Sequence, residues 1–462
     1  MSAEITPATA PAASSESRQS LRYAWYVVGV LTLAYVFSFI DRQIFSLLVG
    51  PLRRDLHISD TQISLLQGLS FALFYTFFGI PIGRLADIHS RRLIIALGML
   101  LWSLLTAGCG LAQTFVQMLF LRMGVGVGEA ALSPAAYSLI TDYFPRRRLA
   151  TAISVYSMGI YIGSGLSFLV GGLVVGYAST RAAWTLPLLG TVRSWQLIFL
   201  TLGLPGAVLA PLLFTVREPD TRRARAQRLV VPLRQVISYI HKNRGTFLLH
   251  NIGFGMLSLG AYAGAAWIPE FFHRHFHWNI RTAGIVFGAN VGVFGSLGII
   301  GAGWVADHLR SRGRANANLF VGATVAILLI PINCAAFLSW SPVWAAMFLA
   351  PLCLLSAAPF GIAPAAIQEM MPADMRGQAS AIYLFVLNLI GLGIGPTAIA
   401  ACTQYIFQRD DAVHYSLALV TSVACALGGV LLYSALKPFL GSLERLRVWN
   451  LSHAPLASKE GS

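Results

Sequence analysis

Apolar residues fill this chain in runs of about 20, separated by short polar clusters. A helix of that length spans roughly 30 Å of hydrocarbon. Lipid offers no partner to backbone N–H and C=O groups, so such runs must satisfy them internally, as helices. The pattern predicts twelve membrane-spanning helices, near residues 25–49, 63–86, 93–112, 115–141, 150–176 and 195–216, then 247–271, 282–306, 317–338, 343–369, 379–407 and 413–437. The expected organisation is a disordered N-terminal tail (1–20), a six-helix bundle (21–216), a cytoplasmic basic linker with an amphipathic helix around 232–240 (217–245), a second six-helix bundle (246–438) and a cytoplasmic C-terminal tail (439–462). The first run is too long for the core of a cleaved leader, and no small-residue cleavage site follows it, so it reads as a retained helix.

Composition agrees with lipid as the solvent. Hydrophobic residues make up 56% of the chain and charged residues 11%, with a mean hydropathy of +0.67. A soluble domain carries about 25% charged residues. The net charge of +15 would suit a nucleic-acid partner, but its distribution points elsewhere. Most Lys and Arg fall in loops on the side that holds both termini, which places those termini in the cytoplasm. The five cysteines (109, 334, 353, 402 and 425) sit in or beside spans without metal-like spacing and read as packing residues. His273, His275 and His277 in "FFHRHFHWNIR" read as interfacial rather than metal-binding, and no metal is expected. No Gly-rich Lys-Ser/Thr loop or soluble domain is present, so neither an ATP-driven pump nor an enzyme is expected.

The chain repeats itself. "GRLADIHSRR" (83–92) follows the second span, and "GWVADHLRSRG" (303–313) follows the eighth; Gly83 and Asp87 map onto Gly303 and Asp307. A second pair begins at Pro134 and Pro364, where Arg147 and Ala150 map onto Arg376 and Ala379. Two correspondences at similar offsets indicate two pseudo-symmetric halves. The loop "GRLADIHSRR" resembles the G-x-L-a-D-r-x-G-R-[KR] motif of the major facilitator superfamily, with Ser90 where Gly is usual. The resemblance covers the whole chain. It implies an all-α membrane protein with twelve transmembrane helices in two six-helix bundles around a central cavity, which the first, fourth, seventh and tenth spans line. The gating motif is then Gly83, Asp87, Arg91 and Arg92 with Asp307 as the second-half counterpart. Asp87 is expected to pair with Arg91 and to cap a helix of the other bundle.

Charges inside spans are costly and are read as functional by default. Only Asp41 and Glu129 among the acids lie deep, with Arg42 and Arg122 the deep cations. Arg122 and Glu129 are seven residues apart, so both leave one helix face. At 1.5 Å per residue, Asp41 and Arg122 each lie ~13 Å from the outer end of their spans, and Glu129 ~10 Å deeper. The expected arrangement is a charge switch in which Asp41 and Glu129 compete for the Arg122 guanidinium and take up protons in turn. Arg42 points ~100° from Asp41, toward another helix or the external vestibule.

The first-span "DR" and the fourth-span "R…GxGEA" resemble spinster-type members of the superfamily; sugar-acid and other organic-anion symporters carry related fourth-span patterns. The spinster resemblance implies proton-linked movement of lysolipid-like anions such as sphingosine-1-phosphate. The second half offers little deep charge, only Asn251, Ser258, Tyr262 and Asn388. A wall of cations facing an apolar wall suits an amphipathic anion. The expectation is therefore a monomeric, proton-coupled transporter in a bacterial inner membrane, working by alternating access with no cofactor beyond the proton gradient. A symporter of small sugar acids is the alternative, and a channel or non-transporting receptor is the alternative of another class. Stripes at Gly284, Gly288 and Gly292 and at Gly159 and Gly163 predict close helix packing. Pro359, Pro364 and Pro396 predict kinks.

Overall fold

The computed structural model describes residues 15–144, 146–181, 183–187, 190–218, 231–372 and 375–452. Twelve helices are long and apolar enough to cross a membrane: Leu21–Leu47, Asp60–Ala86, Arg91–Cys109, Phe115–Tyr143, Thr151–Ala178 and Ser194–Thr215 in the first half, then Arg244–Phe276, Ile280–Ser311, Ala317–Phe337, Pro342–Met370, Arg376–Phe407 and Asp410–Ser452 in the second. They form two six-helix bundles around a central cavity.

Local chemistry starts several spans. Ser59 and Gln62 form a capping box, each side chain bonded to the other's backbone N–H (3.2 and 2.9 Å). Thr114 caps the fourth span and Asn279 the eighth, each accepting from the third N–H along. Between the fifth and sixth spans, β1 (Ala183–Leu186) and β2 (Gly190–Arg193) pair as a short hairpin. It marks one end of the molecule; the linker marks the other.

The expected 439–462 tail begins as helix. The last helix continues to Ser452, and Trp449 packs edge-on against Tyr239 of the linker helix (Leu233–Lys242) while Arg445 donates to Asn243 (2.7 Å). That packing gives residues beyond Lys437 a reason to stay ordered outside the hydrocarbon. At the other terminus the first helix begins at Ser15; residues 1–14 of the expected tail lie outside the described residues.

The halves meet along two crossings, the fifth span against the eighth and the second against the eleventh. Glycines set the first crossing. A Cβ at Gly288 would come within 2.7 Å of the Gly165 carbonyl oxygen, and one at Gly284 within 2.7 Å of that of Phe168. The second crossing brings Gly68 against the Leu392 backbone. Both crossings carry widened π-helical turns, at Leu65–Leu69, Val291–Gly295 and Asn388–Ile394. Such turns redirect backbone carbonyls and often occur at functional positions.

The bundles part at the linker end and close at the hairpin end. The central cavity has a volume of about 1950 Å³, and its mouth is lined by Gly83, Arg84, Gly303, Trp304 and Gln378, with Leu233 and Ile237 of the linker helix. Beyond Arg42, toward the hairpin, space shrinks to a void of about 20 Å³ between Gln67, Leu392 and Pro396. Ion pairs seal that end. Arg274 of the seventh span holds Asp60 of the second through two nitrogens (2.6 and 3.0 Å) and Glu270 through a third (2.7 Å); Arg53 reaches Asp410 (2.6 Å).

Candidate functional site

The four deep charges do assemble in the first half, but not with the expected partners. Glu129 pairs with Arg42, whose Nη2 donates to Oε2 at 2.6 Å; Ser38 donates to the same oxygen at 2.6 Å. Both side chains are almost wholly buried. Arg122 instead turns toward the second span and donates from Nε to the Leu66 carbonyl (3.2 Å), one of the carbonyls in the widened turn. The expected exchange of Asp41 and Glu129 over Arg122 is not the pairing of this conformation and stays a proposal. The shared helix face of Arg122 and Glu129 did not decide their pairing: Arg122 meets the Leu66 carbonyl, which also accepts from the Ser70 hydroxyl (3.4 Å), while Arg42 reaches Glu129 from the first span.

An aromatic ring separates the two cations. Phe71 has the Arg42 guanidinium 4.5 Å and the Arg122 guanidinium 5.5 Å from its centroid; Phe39, Tyr75 and Phe45 complete the aromatic surround. Cation–π attraction, about 2 kcal/mol when desolvated, helps hold charge in this apolar site. Arg42 lines the central cavity, whereas Asp41, Arg122 and Glu129 do not. Asp41 faces inward, within electrostatic reach of Arg122 and Glu129 and beside Trp102 and Thr106 of the third span. Among the described residues, its Oδ1, Glu129 Oε1 and both Arg122 Nη atoms are buried with no hydrogen-bond partner. Orphaned charged atoms in such a site are costly, so packing must supplement the polar bonds that Glu129 and Arg122 do make.

That packing comes from "GVGVGE" (124–129). A Cβ at Gly126 would lie 2.8 Å from the Phe71 carbonyl oxygen, and one at Gly128 would lie 2.8 Å from the Trp102 backbone nitrogen. The fourth span therefore draws the second and third spans in on either side of Glu129. Only glycine permits this approach.

The second half presents a different lining. An arm of the cavity enters it between the seventh, ninth, tenth and twelfth spans, past Leu257, Leu329, Phe337, Leu352 and Cys353, with Asn333 and Thr421 as scattered polar groups; elsewhere the same half lines the cavity with Tyr262, Ser356 and Asn388. His250 is fully buried nearer the linker end; its ring nitrogens meet the Asn251 amide (2.9 Å) and the Ala363 carbonyl (3.1 Å). His250 is an ionisable residue inside an apolar run, so the signal for it was present in "FLLHNIG" and went unread. Asp60 and Arg274 were harder to find, because each lies at a span end where charges are ordinary.

The motif loop is tied within its own half. Arg91 donates to Asp142 and to Glu218 (2.6 Å each) and to Ser138, and the Arg92 backbone N–H donates to Glu218 (3.2 Å). The expected carboxylate for Arg91 was Asp87, whose side chain lies outside the described residues. Gly83 packs near Pro134, with ordinary contact at 3.7 Å for an added Cβ. Asp307 pairs with Arg310 (3.2 Å), which also meets Glu369 of the tenth span. Among the described residues, the partners of Arg91 lie in the first half and at the start of the linker and those of Asp307 in the second half, so none crosses between bundles.

Comparison with known proteins follows this geometry. The sequence pattern of the Major Facilitator Superfamily matches residues 31–396. An MFS-type efflux pump of Mycolicibacterium smegmatis is 28% identical over 420 residues, 88% of this chain and 91% of that one. The sphingosine-1-phosphate transporter SPNS2 of Xenopus tropicalis is 24% identical across 94% of this chain and 86% of its own; a probable L-galactonate transporter of Escherichia coli is 28% identical across 62% of each. Among solved structures, a bacterial homologue of the human lysosomal transporter spinster, in an inward-facing and unoccupied conformation, superposes with a TM-score of 0.72 at 26% identity, covering 92% of this chain and 98% of that one. Twelve spans in two halves, a cavity between them and this match over most of the sequence lead to one conclusion: the chain is a multi-pass integral membrane protein of the Major Facilitator Superfamily, a transporter with a spinster-like fold.

Proposed function

We propose that this protein moves an amphipathic anion, such as a lysolipid or a sphingosine-1-phosphate-like molecule, by alternating access coupled to protons. The observation that carries this reading is the asymmetry of one cavity. Arg42, masked by Glu129, stands on one wall, and an apolar arm opens in the other. The anionic head displaces Glu129 from Arg42, and the tail enters the arm. Burying each methylene there is worth about 0.8 kcal/mol. Glu129, left without a cation in an apolar site, takes a proton. Substrate and proton thus arrive together, and the bundles can rock with the charge neutralised. Asp41 and Arg122, sealed behind Phe71, hold the second exchangeable proton of the cycle.

The same reading has the protein act as a monomer in a bacterial inner membrane, with both termini in the cytoplasm and the proton gradient as its energy source. The seal at the hairpin end favours a carrier over a channel, since a channel needs one continuous path. A sugar-acid symporter is the second reading, favoured by the likeness to the L-galactonate transporter. Such a cargo would use hydrogen-bonding groups on both walls, and the second half offers Tyr262, Ser356 and Asn388.

Flux into proteoliposomes decides between them. Under a pH gradient, an anionic lysolipid should be carried, and the matching tail-free glycerol phosphate or galactonate should neither be carried nor compete. Equal transport of the tail-free anion would overturn the lipid reading. Binding without flux would overturn the transporter reading altogether.

A further inference from the structure

The third span contributes polar side chains that neither the motif nor the cavity accounts for. Trp102, Ser103 and Thr106 are each fully buried, and among the described residues Trp102 Nε1, Ser103 Oγ and Thr106 Oγ1 have no hydrogen-bond partner. Trp102 and Thr106 are four residues apart, so they share a face. That face is turned to Asp41, whose Oδ1 is likewise buried and unpartnered. Gly128 sets how closely the third span approaches the fourth, because its missing side chain lets the Trp102 backbone come against it. Ser103 lies on another face, against Gly206 of the sixth span.

We propose that Trp102 and Thr106 are positioning residues that hold the Asp41 carboxylate when it is charged, as two neutral donors supplied by the third span. An indole N–H can only donate, and a hydroxyl can donate to a carboxylate or accept from a carboxylic acid. The pair therefore bonds to both protonation states but donates twice only to the charged one. The other charged or titratable groups around Asp41 are Glu129 and Arg122 of the fourth span, Cys109 of the third and the adjacent Arg42. The Ser167 hydroxyl of the fifth span is committed to the Ile40 carbonyl (3.0 Å), and Arg122 is turned to Leu66 of the second. With Arg122 turned away, Asp41 Oδ1 has no bond among the described residues, and the third span is where unpartnered donors stand. This inference deepens the proton-coupling role given to Asp41 above, but it concerns how that carboxylate ionises and not what cargo is carried.

The test is an infrared titration of the purified full-length protein in lipid nanodiscs. The band to follow is the protonated-carboxyl stretch that disappears in Asp41→Asn. A hydrogen bond to a charged group is worth about 1.5–3 kcal/mol, so losing one donor shifts a midpoint by roughly one to two pH units. Trp102→Phe and Thr106→Val should each move the Asp41 midpoint upward by that amount, Thr106→Ser should restore it, and Ser103→Ala should leave it in place. Melting temperatures recorded alongside separate a folding defect from a shift, and Thr106→Ala replaces any variant that does not fold. Unchanged midpoints in folded Trp102→Phe and Thr106→Val protein would overturn the proposal, as would an equal shift in Ser103→Ala or an Asp41 band that does not titrate. Failure of proton-driven flux in Asp41→Asn alone would instead bear on the coupling role.

Discussion

The two halves share a fold and a loop motif, yet they divide the chemistry unequally. The first half buries Asp41, Arg42, Arg122 and Glu129 among aromatic rings near the cavity. The second half meets the cavity with a largely apolar arm and keeps His250 buried between the Asn251 amide oxygen and the Ala363 carbonyl, away from the lining. Pseudo-symmetry of the backbone therefore says nothing about symmetry of function. A helix scaffold fixes where side chains stand, and the residue types decide which wall binds charge and which binds hydrocarbon.

The comparison can be broken most severely at the ion pair. Arg42→Ala or Glu129→Gln should abolish coupled flux. Breaking one partner of a buried pair costs about 3–5 kcal/mol when a charge is stranded. Arg42→Ala, which strands Glu129, should lower the melting temperature more than the double variant Arg42→Gln/Glu129→Gln, which strands nothing. An Arg42→Ala protein with normal flux and normal melting would remove the first half's special status.

The next effect in size concerns the glycine approach beside that pair. Gly128→Ala should cost about 1–3 kcal/mol through overpacking against Trp102 and cut transport roughly tenfold, read from thermal melting and initial uptake rates. The closing ion pairs come next. Asp60→Asn should loosen the hairpin end and raise thiol labelling of a cysteine placed beside Gln67, with labelling unchanged if that pair does not hold the bundles together. The second half's arm is sharpened by Cys353→Trp, which should raise the KM for long-chain lysolipids severalfold and leave short-chain ones little affected. At the small end, Arg409→Ala removes an exposed partner of Asp411 and should leave melting and flux unchanged, because solvent-exposed pairs contribute little.

Much of this architecture was legible in the sequence, because lipid imposes a length and a polarity on every crossing segment. The twelve apolar runs, the repeat at Gly83 and Gly303, and the close-packing glycines at Gly284 and Gly288 all followed from that constraint. The identities of the buried charges were equally visible, since Asp41, Arg42, Arg122 and Glu129 stand alone among apolar neighbours. Their pairing was not. Residue spacing gives the face a side chain leaves from, but the Leu66 carbonyl that receives Arg122 lies in a π-helical turn that no spacing rule reveals. The Asp60–Arg274 closure was hidden for a related reason. It joins residues 214 apart, and only the docking of one bundle on the other brings them together. The ordered end of the last helix was missed because its stability comes from Tyr239 and Asn243 of the linker, not from its own composition.

The central claim is that an anion and a proton exchange places with the Arg42–Glu129 pair. Proton uptake on ligand binding tests it most directly. Wild-type protein in weakly buffered solution with a pH indicator should take up about one proton per bound anionic lysolipid near neutral pH, and Glu129→Gln should bind the lysolipid while taking up none. Saturable binding to the wild-type protein with no proton uptake, or uptake that persists in Glu129→Gln, would contradict the account.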